Sequence, residues 1–267
     1  MSRQKICNMH REKIIGRNQN NIQLSLFDDI DDDTLSFTDV DLTYNYNADT
    51  ACVKNHEAYI NRIAKGIDYY RWRELTYVGQ LDVPVIQPYE ATIPTTLVSF
   101  SNLTWQTDSS CSVHFYEHDY KFNRFIKNPE AYLPILLRMH SVITPDCSQY
   151  VEMPAYKRLY NSCLNKELGA FMQNHGVRII VNVSWSTPDS YDYAFEGIPQ
   201  DSVIAINSLG AKKNNVSRYL WFKGYEQVQE RLRPRSIIRY GEKMPNENES
   251  ISTYFANEKI RRKRNGR

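Results

Sequence analysis

Val177-Arg178-Ile179-Ile180-Val181-Asn182-Val183 reads as a strand that is apolar on both faces. Side chains of a strand alternate between the two sides of a sheet, so Ile179 and Val181 point one way and Ile180 the other, and both sides must be covered. Similar short β-rich runs recur at Thr96 to Phe100, Ser112 to Tyr116, Ser141 to Ile143, Ser202 to Ile206 and Ser236 to Tyr240. Helical punctuation lies between them. Asn128-Pro129 places proline at a first helical position before Tyr132, Leu133, Leu136 and Leu137. Pro154 opens a stripe of Leu159, Cys163, Leu164, Leu168, Phe171 and Met172 that Gly176 ends. Thr187-Pro188 starts a short helix closed by Gly197, and Trp221, Tyr225, Val228 and Leu232 line another before Pro234. Strand and helix alternate, so the fold class is α/β, with a mostly parallel sheet and helices on both faces. The pattern leaves an open sheet and a small barrel-like one equally available.

Outward from this domain the composition changes. Residues 1–50 mix Asn, Gln and charge without sustained periodicity and read as a flexible arm. Residues 51–82 read as an accessory helical segment in which Asn55 can cap a helix carrying Ile60, Ile63, Ala64, Ile67 and Leu75. The α/β domain is expected over 83–245 and a basic tail over 246–267.

The 267-residue chain is 41% hydrophobic and carries a formal charge of +2, so no strong overall field points to nucleic acid. The distribution is uneven. Asp28, Asp29, Asp31, Asp32, Asp33, Asp39 and Asp41 form an acidic block, whereas Arg261, Arg262, Lys263 and Arg264 in the tail can touch phosphate. No run approaches the ~18 apolar residues of a membrane span, and the first twenty residues lack a signal-peptide core, which leads us to expect a cytoplasmic protein of a bacterial host cell. Five scattered cysteines without a C-x-x-C pair are expected to be reduced thiols.

Parallel sheets bind ligands at the carboxyl ends of their strands. Reading those ends off the sequence gives Ser99, Asn102, Glu117, Asp119, Asp146, Ser148, Ser184, Trp185, Asn207, Ser208 and Glu242. Asp119 and Asp146 stand out, because two carboxylates in one cleft can divide acid and base roles or hold a hard cation. The competing interpretation makes each a helix cap. His114-Phe-Tyr-Glu-His118 matches H-x-x-E-H, but the run reads as a strand, where histidines four apart are separated by about 13 Å, so no metal site is assigned. Walker, Rossmann and G-x-S-x-G patterns are absent, and no cofactor follows from the sequence.

Two stretches resemble known sequences. Val142-Ile-Thr-Pro-Asp-Cys-Ser-Gln-Tyr150, Met153-Pro154, Leu168-Gly-Ala170, Gln173, Gly176, Trp185, Phe195-Glu-Gly-Ile-Pro199, Gly210 and Lys223-Gly224 resemble an uncharacterised family of phages and bacteria, domain of unknown function 4417, over about Leu97 to Gly241. Glu196 stands where that family usually has Asp, and Cys147 where it usually has Phe. The resemblance implies a phage or mobile-element origin and no established reaction. Gln23-Leu24-Ser25-Leu26-Phe27 resembles the peptide by which bacterial polymerases and repair proteins dock on the β sliding clamp, with Leu24, Leu26 and Phe27 as apolar anchors and Gln23 making polar contacts.

The leading expectation is a phage or mobile-element accessory protein that docks on the bacterial sliding clamp and acts on or near DNA. The alternative is a small α/β hydrolase or phosphoryl-handling enzyme with Asp119, Asp146 and Glu196 around a cleft that includes Ser148, Trp185 and Asn207.

Overall fold

In a computed structural model, residues 68–72 and 74–255 are described. The clamp-like peptide Gln23 to Phe27, most of the helix expected from Asn55 to Leu75, and the basic residues Arg261 to Arg264 lie outside the described residues; the described end of that segment is helical at Tyr69–Trp72. Each of the six expected runs carries a strand: β3 (Leu97–Ser99), β4 (Ser112–His114), β5 (Ser141–Ile143), β6 (Ile179–Asn182), β7 (Val203–Asn207) and β8 (Ser236–Tyr240). Two strands precede them, β1 (Tyr77–Val78) and β2 (Val83–Pro84), paired as an antiparallel hairpin. That hairpin corrects the end of the expected helical segment. A further strand, β9 (Ser252–Phe255), corrects the other boundary, because it pairs with β8 inside the stretch assigned to the tail.

Strands β3 to β9 form one seven-stranded sheet in chain order, and every neighbouring pair is parallel. Each strand therefore needs a crossover to its immediate neighbour. Crossovers of one hand put their helices on one side, and the sheet curls into a half-barrel. Between the strands of this sheet lie the α-helices α1 (Asp119–Lys127), α2 (Leu133–Leu136), α3 (Ala155–Asn174), α4 (Tyr191–Phe195) and α5 (Asn215–Leu232). Phe122 and Phe125 of α1 pack on Phe115, Gly169 of α3 lies against Thr144, and Trp221 of α5 lies under Arg239. All three contacts fall on one side of the sheet. The opposite, concave side is filled by Tyr89, Tyr116, Ile143, Ile180, Val203, Ala205, Ile238 and Tyr240, with Ala91 and Ile93 of the extended segment before β3 against them. The apolar character of both strand faces is thus met by helices outside and a rolled interior within.

Asn128-Pro129 does not cap an α-helix through its side chain. Pro129–Tyr132 form a tight 3-10 turn that runs into the short α2. No described helix is long and apolar enough to cross a membrane.

Arg239 points outward from β8 and is fully buried. Its guanidinium makes a two-pronged pair with Glu247, Nη2 to Oε1 at 2.7 Å and Nε to Oε2 at 3.0 Å, and its Nη1 donates to the Ile206 carbonyl at 3.0 Å. Glu247 also accepts from the Met244 amide at 3.1 Å and the Tyr254 hydroxyl at 2.8 Å. The pair ties β7, β8, β9 and the loop between the last two strands together. Removing one member leaves the other charge buried and unpaired, which costs about 3–5 kcal/mol. Glu247→Ala is therefore expected to lose about that much in urea unfolding, and Tyr254→Phe, which keeps the ion pair, no more than about 1.5 kcal/mol. Similar losses for both variants would contradict this assignment.

Candidate functional site

Because all seven strands run the same way, their carboxyl ends share one rim, and the rim encloses a cavity of ≈ 780 Å³. Asp146 sits in it just beyond β5. The Asn182 amide at the end of β6 donates to Oδ1 at 2.9 Å, and the Asn207 amide at the end of β7 donates to Oδ2 at 3.0 Å. Both amides are themselves oriented. Asn182 Oδ1 accepts from the Tyr116 hydroxyl at 3.1 Å, and Asn207 Oδ1 accepts from the Leu209 amide at 3.0 Å. A carboxylate oxygen accepts about two hydrogen bonds, so each Asp146 oxygen keeps capacity for a ligand.

Burial pushes the Asp146 carboxyl up from the ordinary carboxylate range to about 6, against the lowering effect of the two asparagine amides, and the Asp119 charge raises it further. Asp119 opens α1. Its carboxylate accepts from the Ser148 amide at 3.2 Å and the Ser148 hydroxyl at 2.8 Å, which ties the start of α1 to the loop after β5. Neither carboxylate caps a helix: the cap positions of α1 and α3 are His118 and Pro154. The capping interpretation is set aside.

Beneath these groups His114, Tyr116 and Tyr240 pack ring on ring, with centroids 4.6 Å apart for His114 and Tyr240 and 4.7 Å for Tyr116 and Tyr240. Burial lowers His114 to about 3, so it stays neutral, and its Nδ1 accepts from the Tyr116 amide at 3.1 Å. His118 instead stacks on Tyr120, so the two histidines of the H-x-x-E-H run have different surroundings. On the opposite wall Trp185 donates to the Leu220 carbonyl at 3.2 Å and lies across Gly224, where any side chain would collide with the indole. Trp185 is held by the absence of a side chain on α5.

Asp119, Asp146, Ser148, Trp185 and Asn207 all line the cavity, as do Ser99, Asn102, Glu117 and Ser184. Glu196 does not line it. Its carboxylate lies over Gly79 of the β1–β2 hairpin, and it stands near Lys166, a buried lysine lowered to about 8 whose amine donates to the Tyr193 carbonyl and to Ser162. Glu196 follows α4 and not a strand, which is why it is directed to the hairpin. Ser208 and Glu242 bond to each other, through the serine hydroxyl and the Glu242 carbonyl, away from the lining. Sequence reasoning missed Asn182 and Tyr240, which lie inside strands, and Tyr116, which lies two residues beyond β4. The signal for Asn182 was present, as the one polar residue from Ile179 to Val183.

A carboxyl raised in this way is half protonated near pH 6, where it can both give and take a proton. Its raised value also makes its contribution to folding stability fully present below the ordinary carboxylate pKa and lost as the pH rises through about 6. Carbon-13 carboxyl NMR is expected to show Asp146 titrating near pH 6, and Asp119→Asn is expected to lower that midpoint by removing a nearby negative charge. A midpoint near 4 in the unsubstituted chain, or no change on Asp119→Asn, would contradict this electrostatic account.

Comparison with known proteins gives one family profile, described as Domain of unknown function (DUF4417), which matches residues 75–257. Two relatives are both named Gene 1 protein. That of Mycobacterium phage D29 is 30% identical over 156 residues, covering 55% of this chain and 58% of the relative. That of Mycobacterium phage L5 is 32% identical over 131 residues, covering 49% of this chain and 57% of the relative. The chain thus spans little more than half the length of the curated relatives it matches. No solved structure matches it.

Proposed function

The chain belongs to the DUF4417 family, and from that premise we propose that it is a phage-related α/β half-barrel enzyme whose carboxyl-end cavity binds a polar substrate, with Asp146 as its acid–base group. The observation that carries this reading is the double amide clamp on Asp146 inside the cavity. A carboxylate needed only for stability gains nothing from a site that raises its pKa and leaves acceptor capacity open. Perturbed carboxyls beside a second carboxylate divide proton donation and acceptance, and Asp119, fixed by Ser148, supplies the second group. The chemistry required of a substrate is a proton that can be removed, or an oxygen or nitrogen that can be protonated, within reach of the Asp146 oxygens.

A thermal-shift panel of nucleosides, nucleotides, sugars, sugar phosphates and small carboxylic acids tests the proposal. At least one class is expected to raise the melting temperature of the unsubstituted chain, and Asp146→Ala is expected to abolish that rise while still giving a single cooperative transition. A panel in which no class shifts the chain, or in which Asp146→Ala responds as fully, would overturn it.

A second reading rests on Gln23, Leu24, Leu26 and Phe27. In this reading the arm docks on the bacterial β sliding clamp and brings the domain to DNA, which the tail residues Arg261, Arg262, Lys263 and Arg264 contact. The two readings are compatible, since one concerns delivery and the other chemistry. A peptide spanning residues 20–32 is expected to bind clamp with a micromolar dissociation constant, about −8 kcal/mol. Leu26→Ala with Phe27→Ala is expected to weaken it 100-fold or more. Equal binding by the doubly substituted peptide would remove the docking reading.

A further inference from the structure

Four exposed tyrosines lie close in sequence to cavity-lining residues of α1 and of the loop before α3. Tyr120, Tyr150, Tyr156 and Tyr160 are 75%, 62%, 66% and 54% exposed. Tyr120 follows Asp119 in the first turn of α1, and the Asp119–Ser148 hydrogen bonds join that turn to the loop carrying Tyr150. Tyr156 and Tyr160 stand one turn apart on α3, immediately after that loop. Tyr150 itself lines the cavity. Tyrosine supplies a flat stacking face with little conformational freedom to lose.

One cation stands between two of the rings. The Lys157 amine lies 5.7 Å from the Tyr156 ring centroid and 5.8 Å from that of Tyr160. Lys121 and Lys213 line the cavity together with the carboxylates Glu117, Asp119, Asp146 and Glu152. Lys157 and Lys213 have no carboxylate partner among the described residues, whereas Lys121 is 3.5 Å from Glu117. From Ser148 to Tyr160 the one carboxylate is Glu152. Flat rings flanking an unpaired cation, as Tyr156 and Tyr160 flank Lys157, suit a flexible polyanion carrying aromatic groups. The rings stack on bases and the cations follow phosphates.

The geometry points to single-stranded nucleic acid as the substrate class of this site: the strand lies on the tyrosine and lysine rim and presents one nucleotide to the cavity. The inference rests on the proposal that Asp146 marks a working site, and adds what is delivered to it. A sugar would stack on the same rings but has no use for unpaired lysines. A peptide partner would fill the rim without needing the cavity beneath it.

Fluorescence anisotropy of labelled twelve-nucleotide DNA and RNA strands on the full chain is the test, the two strands separating the two sources of the same chemistry. At least one strand is expected to bind, less tightly as salt rises. Tyr156→Ala with Tyr160→Ala is expected to weaken binding tenfold or more, whereas Tyr156→Phe with Tyr160→Phe, which keeps the stacking faces, is expected to bind within about threefold of the original. Tyr77→Ala, at an exposed ring on the β1–β2 hairpin, should bind as the original does. No binding of either strand at 100-fold above a micromolar concentration, or alanine variants that bind as well as the original, would overturn the inference. The acid–base reading of Asp146 would then stand or fall on the small-molecule panel alone.

Discussion

Seven parallel strands in strict chain order impose one constraint from which the remaining architecture follows. A parallel neighbour can be reached only by a crossover, and crossovers of the same hand stack their helices on one side. The sheet must then curl, and every strand ends on the same rim. The cavity is therefore built into the topology. What the sequence adds is which side chains stand on the rim, and these are decided by the two-residue period of β5, β6, β7 and β8. Asn182 and Asn207 share the inward side with Tyr116 and Tyr240 and converge on Asp146. A one-residue slip in β6 would turn Asn182 outward and leave Asp146 with one amide.

Arg239 and Asp146 illustrate opposite solutions to the same desolvation problem. Arg239 on the outward side of β8 meets Glu247 with both prongs satisfied, and the pair locks the last strand onto the sheet. Asp146 on the cavity side meets only neutral amides and a second carboxylate nearby, so its charge stays costly and its pKa rises. Stability is concentrated in the first arrangement, and chemical potential in the second. Proteins commonly carry such locally unfavourable groups where they work.

Much of the fold was legible because the core strands are short, apolar and sharply bounded. Ser141 to Ile143 and Ser236 to Tyr240 begin and end as read. β9 was not legible: Ser252-Thr-Tyr-Phe255 is half exposed and barely apolar, and it becomes a strand through pairing with β8 and through the Tyr254–Glu247 hydrogen bond. α1 was legible only in part. A helix after Asp119 enters only through the capping interpretation, although Phe122 and Phe125 carry the helical spacing, and Asp119 is its first residue, not its cap. Asp119, Asp146, Ser148, Trp185 and Asn207 could be collected from strand ends alone. Glu196 could not be placed, because its position depends on how a tight turn after α4 meets the hairpin at Gly79. The asparagine clamp required knowing which strands are neighbours, and this is a property of the assembled sheet.

The cavity around Asp146 is the centre of this account, and native mass spectrometry of the full chain after incubation with a bacterial small-molecule and oligonucleotide extract tests it most directly. The account predicts that the unsubstituted chain retains a nucleotide-containing species and that a chain with both Asp146→Ala and Tyr156→Ala does not. Equal retention by the two chains, or retention of nothing by the unsubstituted one, would contradict it.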